Sequence, residues 1–392
     1  MTRFVRQGIL KVAALSVSLG IALLAAEAGL RLLGRDGPRV WAPDPVVGWR
    51  PIPGAKRHWI EEGDGLIEIN SRGFRDRERE LAAEPAVERI AVFGDSMTEG
   101  DQVNLDQTYA SRLEAGLRGQ GHAVEVLNFG VTGYSPTQEL LLFRDEAPKY
   151  GPQIVVLALF LDNDVSGSHP RLSVAPEAPF AVTEGSGLSF DYSRAEASYN
   201  GYHRQPFYLL RKYSALYRAT GALRERRGET APADPARAGA VPTRFELYLT
   251  TPPGPPREWE DAWGTLERVV AAMADDTRRL GAELVILSVP AAQVVDPRAW
   301  ERLVAERPAM RERAWDLRGP ERRLRAFADR HDLRLIQPLD AFEAAVRSER
   351  LYFGDVGHLT PRGHQLIADE LARFLTAGRL IEDRRPHQAL TR

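Results

Sequence analysis

Ile90-Ala91-Val92-Phe93-Gly94-Asp95-Ser96-Met97-Thr98-Glu99-Gly100 joins a short apolar run to a tight turn and then to the first residues of a helix. The run has the length and the flanking turn signal of a buried strand. In open α/β sheets reacting groups gather outside the carboxyl ends of such strands. Ser96 therefore stands where a nucleophile belongs. Its own N–H, at a helix start, has no intrahelical partner and faces whatever its hydroxyl attacks. Gly-Asp-Ser also makes an ordinary turn and helix cap, so the stretch needs support from elsewhere in the chain.

That support begins near the other end. Asp355-Val356-Gly357-His358 precedes Leu359-Thr360-Pro361 and a periodic run from His364 to Leu375, with Leu366, Ile367, Leu371 and Phe374 on one face. Thr360 reads as an N-cap and Pro361 as the first helical residue. Asp355 and His358 thus share a loop before a helix, with the carboxylate in reach of one imidazole nitrogen and the other nitrogen facing outward. A nucleophilic serine needs such a base, and the base needs a group that fixes its tautomer. His364, inside the helix start, reads as structural.

Two further loops can supply donors for developing negative charge. The strand-like Val124-Glu125-Val126-Leu127 leads into Asn128-Phe129-Gly130-Val131-Thr132-Gly133-Tyr134-Ser135 and then a helical pattern from Thr137 to Lys149. The continuous apolar run Ile154 to Phe160 leads into Leu161-Asp162-Asn163-Asp164. The Ser96 N–H, the Gly133 N–H and the Asn163 amide make three donors for the oxyanion of acyl transfer, where one donor contributes on the order of 3 kcal/mol.

Serine, glycine, asparagine and Asp-x-x-His, in this order and each at a strand exit or helix start, resemble the SGNH hydrolases, the GDSL esterase/lipase superfamily, from about Glu88 to Leu375. The resemblance implies Ser96 as nucleophile, Gly133 and Asn163 with Ser96 as the oxyanion hole, His358 as general base and Asp355 as its partner. It also implies a three-layer α/β/α sandwich. The chain departs from the pattern at Leu161, where the third block of the family usually has glycine. Asp95 and Asp164 read as loop-fixing residues that bond nearby backbone.

Composition agrees. The chain of 392 residues, 43% hydrophobic, can bury a full core. A net charge of −2, with basic and acidic residues interleaved as in Arg75 to Glu80 and Glu301 to Arg313, argues against a nucleic-acid partner. The absence of cysteine excludes disulfides, thiol chemistry and cysteine-ligated zinc. No phosphate loop or dinucleotide fingerprint appears and the histidines lack metal-ligand spacing, so no cofactor and no metal is expected.

Arg3, Arg6 and Lys11 precede an apolar stretch from Val12 to Ala26. At about 1.5 Å per residue it covers about 22 Å of a bilayer core near 30 Å, which snorkelling ends can complete. An uncleaved anchor is the preferred reading, and a signal peptide cleaved at Ala26-Glu27-Ala28 is the alternative. Basic residues ahead of the stretch favour a cytoplasmic N-terminus and an exported catalytic domain in a bacterial envelope, facing the periplasm. The expected organisation is an anchor or signal segment over residues 1–35, a lead-in over 36–85 packed on the domain, the hydrolase-like domain over 86–380 with an insertion at 165–257, and a polar tail over 381–392. Within the lead-in, Trp49 and Phe74 are expected to help wall the active site. The insertion, with Phe207, Leu210, Tyr217 and Leu223 suggesting an amphipathic helix and Gly228 to Val241 a loop, is a candidate lid or a satellite packing unit.

Helices Glu258 to Leu280 and Glu321 to Arg330, with strands Leu284 to Val289 and Leu333 to Ile336, complete five strands alternating with helices. The right-handed crossover rule makes this a parallel flavodoxin-like sheet. The activity expected is a serine esterase cleaving O-acyl bonds of a carbohydrate or lipid through an acyl-enzyme on Ser96, with the membrane as a second partner through the N-terminal helix. The alternatives are O-acetyl transfer to an extracellular polysaccharide and an inactive binding module.

Overall fold

The computed structural model describes residues 3–32, 40–185, 187–204, 210, 214–217, 219–220, 243–250, 255–354 and 357–381. Asp355, the stretch 228–241, most of the aromatic run around Phe207 and all of the tail but its first residue lie outside them.

Five parallel strands form the central sheet: β5 (Glu88–Gly94), β6 (Val124–Gly130), β7 (Ile154–Leu159), β10 (Glu283–Ser288) and β11 (Arg334–Ile336). Their spatial order, β11-β10-β7-β5-β6, is 2-1-3-4-5 when the five are counted along the chain and read from the β6 edge. This is the flavodoxin-like order expected from the alternation, and its switch point lies between β5 and β7. Successive side chains of a strand face opposite ways, and β5 shows the consequence. Ala91 and Phe93 enter one core cluster, and Ile90 and Val92 enter the other.

Helices cover both faces. Pro136–Tyr150 and Arg257–Leu280 lie over the Phe93 side, and Tyr109–Gly119 and Pro361–Ala377 over the Val92 side. Local chemistry starts them where the sequence predicts. Ser135 and Gln138 form a capping box ahead of Pro136, and the Thr360 hydroxyl accepts from the Gly363 N–H (3.2 Å) ahead of Pro361.

Before the sheet come helix α1 (Arg3–Leu32) and two antiparallel hairpins, β1 (Trp41–Asp44) with β2 (Gly48–Pro51) and β3 (Lys56–Trp59) with β4 (Gly65–Glu68). By length and composition α1 suffices to cross a membrane from Gln7 to Leu32. The described parts of the insertion include a hairpin, β8 (Phe180–Glu184) with β9 (Gly187–Asp191), and a helix Ser193–Arg204 that packs on β1 and β2.

Candidate active site

β5 ends at Gly94, and Asp95 caps the one-turn helix Ser96–Glu99, its Oδ1 accepting from the Met97 N–H at 2.8 Å. This turn aims Ser96 away from the sheet, outside the carboxyl ends of the strands. From the far end of the chain, His358 reaches the same point, with Nε2 2.9 Å from Ser96 Oγ. A serine hydroxyl within hydrogen-bond distance of an imidazole is the geometry of an activated nucleophile.

The opposite face of the ring meets a residue that sequence reasoning passed over. Glu62, between β3 and β4, holds Oε2 2.5 Å from His358 Nδ1 and accepts the His358 backbone N–H through Oε1 at 2.9 Å. Burial opposes the charge on Glu62, but the hydrogen bonds and charge of His358 outweigh it and hold the carboxyl below its ordinary range. Asp355, the partner expected from Asp-x-x-His spacing, lies outside the described residues. A signal for Glu62 does exist in Gly63-Asp64-Gly65, a turn-forming run directly after it.

The expected donor loops flank Ser96. Neither the Ser96 nor the Gly133 N–H donates to a protein acceptor among the described residues. Gly133 has φ +81°, and a Cβ there would stand 3.2 Å from Trp49 Cζ2, so only glycine suits the position. Trp49 braces this loop, its indole N–H donating to Thr132 O (3.0 Å) while Tyr134 Oη donates to Trp49 O (2.5 Å). Phe74 differs from expectation. It is a core residue, its ring packed edge-on against Phe129 at 4.8 Å.

Asn163, in the helix Leu161–Gly167 after β7, donates from Nδ2 to Asp95 Oδ2 at 2.6 Å. An amide nitrogen carries two hydrogens, so the second remains for a substrate oxygen. Asp164 fixes the turn, its Oδ2 accepting from the Phe160 N–H at 2.6 Å. His364 is structural as expected. It is buried, accepts the Tyr109 N–H on Nδ1 (3.2 Å), and burial with the nearby Arg75 and Arg112 lowers its pKa to about 3.

A serine hydroxyl, an imidazole and a carboxylate in one hydrogen-bonded line is an arrangement that can carry out acyl transfer. The GDSL-like lipase/acylhydrolase family profile matches residues 92–303. The chain belongs to this family. It is an ester hydrolase of the serine type, and His358 and Glu62 both lie outside the matched stretch. Solved structures that align with this chain include TesA, at 13% identity with 74% of this chain and 99% of that chain covered and a TM-score of 0.38. A catalytic mutant of Axe2, an acetylxylan esterase from Geobacillus stearothermophilus, follows at 12% identity, 76% and 97% coverage and a TM-score of 0.39. LAE5, an alpha/beta hydrolase from the metagenome of Lake Arreo, Spain, shows 13% identity, 76% and 97% coverage and a TM-score of 0.37. Among curated proteins, none matches the sequence.

Proposed function

We propose that this GDSL-family hydrolase cleaves O-acyl esters of a carbohydrate or lipid in the cell envelope through an acyl-enzyme on Ser96. The observation that carries the reading is the 2.9 Å approach of His358 Nε2 to Ser96 Oγ. Ser96 Oγ attacks the ester carbonyl as its proton passes to His358 Nε2. The oxyanion that forms is met by the Ser96 and Gly133 N–H groups and the Asn163 amide, fixed in place before reaction. Collapse breaks the ester bond, and the leaving alkoxide takes the proton from Nε2. A water molecule, deprotonated by the same nitrogen, then attacks the acyl-enzyme and releases the carboxylic acid, restoring Ser96.

The envelope location rests on α1. Its Glu27 carboxylate accepts from Ser214 Oγ (2.9 Å) and the N–H groups of Ala215 (2.8 Å) and Leu216 (3.0 Å) in the insertion. Cleavage at Ala26-Glu27-Ala28 would remove or disrupt that contact, which supports a retained anchor. The domain reading follows, with residues 1–35 as anchor, 36–85 as a packed lead-in and 86–380 as the catalytic domain carrying its insertion.

The test is hydrolysis of a series of acyl p-nitrophenyl esters by full-length protein in detergent, with and without oligosaccharide acceptors. Hydrolysis that Ser96→Ala abolishes is expected. Turnover that survives Ser96→Ala contradicts the reading, and product that requires the acceptor identifies a transferase instead.

A further inference from the structure

Glu62 lies almost 300 residues before His358, on a hairpin tip outside the central sheet, yet both of its carboxylate oxygens bond that one residue. This contact is built from several sides. Gly357, next to His358, has no side chain, and a Cβ there would stand 2.2 Å from Glu62 Oε1, so the carboxylate fills the space. The hairpin is held against the nucleophile loop by the Asp64 N–H donating to Gln102 O (3.1 Å) and the Leu66 N–H donating to Asn104 Oδ1 (3.1 Å). Arg75, fully buried, clamps the same two segments, with Nη2 donating to Leu66 O (3.1 Å) and Val103 O (2.5 Å) and Nη1 to Glu99 O and Gly100 O (2.8 Å each). The Glu62 side chain is 24% exposed and that of His358 29%, a partly dry setting in which a bonded carboxylate affects an imidazole more than in water.

We propose that Glu62 is the positioning carboxylate of the active site, so that the β3–β4 hairpin of the lead-in completes the catalytic machinery. The inference rests on the reading of Ser96 and His358 as nucleophile and base. A carboxylate on Nδ1 keeps the proton on that nitrogen and leaves Nε2 free to take the serine proton, and it stabilises the imidazolium formed during attack. It touches neither substrate nor the reacting atoms, and acts through His358 alone. The consequence is that the minimal catalytic unit begins before Glu62, ahead of the first strand of the sheet.

The experiment compares full-length wild type with Glu62→Gln, Glu62→Asp, Glu62→Ala and Asp355→Asn on p-nitrophenyl acetate, measuring kcat and KM across pH. Fluorophosphonate labelling of wild-type Ser96 is the control. Without labelling, the reading of Ser96 itself fails; with it, the variants judge Glu62 alone. Glu62→Gln is expected to lower kcat by about three to four orders of magnitude with KM little changed. Glu62→Asp retains more activity than Glu62→Gln, and added formate partly restores Glu62→Ala, effects that a purely structural role would not produce. The acidic limb of kcat/KM moves to lower pH in Glu62→Gln, because the imidazolium loses its counter-charge. Asp355→Asn loses less than Glu62→Gln. A loss in Asp355→Asn equal to or greater than that in Glu62→Gln, or an unshifted pH profile in Glu62→Gln with kcat near wild type, overturns the proposal.

Discussion

Asn163 shows how one side chain is held ready. Its Nδ2 donates to Asp95 Oδ2 at 2.6 Å, and Asp95 is in turn tied by the Met97 N–H, so the amide is oriented by the cap of the nucleophile's own helix. Leu161, standing where the family pattern has glycine, is buried in the core and leaves this contact in place. Asn163→Ala is expected to lower kcat by about two to three orders of magnitude with the fold intact, measured by esterase kinetics beside circular dichroism. Beneath this pair lie Glu139 and Asp164, both fully buried. Burial pushes both carboxyls well above the ordinary range, with Asp95 adding to it for Glu139, and Glu139 and Asp95 adding to it for Asp164. Asp164 also accepts the Phe160 N–H, which ties the loop after β7.

At the scale of elements, the legibility of the chain follows the kind of signal each element leaves. Strands buried on both faces read as continuous apolar runs, so Ile90 to Phe93 and Ile154 to Phe160 marked β5 and β7 to within a residue or two. A cap marked the last helix, as Thr360-Pro361 shows, whereas the helix read from Thr137 starts one residue earlier, at Pro136. Serine, glycine, asparagine and histidine were legible because each follows such an element. Glu62 was not, since it sits on a short hairpin whose β3 and β4 have four residues each and no apolar periodicity, and since nearby Asp355 supplied a local candidate. The buried state of Arg75 was equally hidden, because Arg75 to Glu80 alternates charge like a solvated surface. Its four carbonyl bonds and the Asp101 carboxylate 3.8 Å from Nε explain why that guanidinium is inside. Arg75→Ala leaves those groups unpaired, and urea unfolding should report a loss of about 3–5 kcal/mol. An unchanged midpoint would show that the clamp contributes little.

For the molecule as a whole, the buried acids around the nucleophile loop couple folding to pH. Burial, with the adjacent Asp101 adding to it, pushes Glu99 up to about 8, against the Thr132 hydrogen bond and Arg75, which favour its ionised form. Below about pH 4.5 both folded and unfolded chains carry this proton. Between 4.5 and 8 the folded chain keeps a proton that the unfolded chain has lost. This contribution to stability is therefore complete below 4.5 and declines as pH rises through 8. Glu99→Gln should flatten the pH dependence of stability over that window, as followed by urea midpoints. A slope identical to wild type would assign it to other groups. The same packing makes the lead-in part of the globule, with Trp49 on the Gly133 loop, Phe74 in the core and Glu62 on His358.

The central claim is a covalent acyl-enzyme on Ser96, the serine that opens the one-turn helix after β5. Full-length protein mixed with p-nitrophenyl acetate, quenched in acid and digested for peptide mass spectrometry, tests it most directly. The peptide containing Ser96 should carry the acetyl group in wild type and not in Ser96→Ala, with more acetylated peptide when His358-dependent deacylation is slowed at low pH. Steady hydrolysis with no acylated Ser96 peptide at any quench time or pH, or acetylation at another residue that persists in Ser96→Ala, would contradict the account.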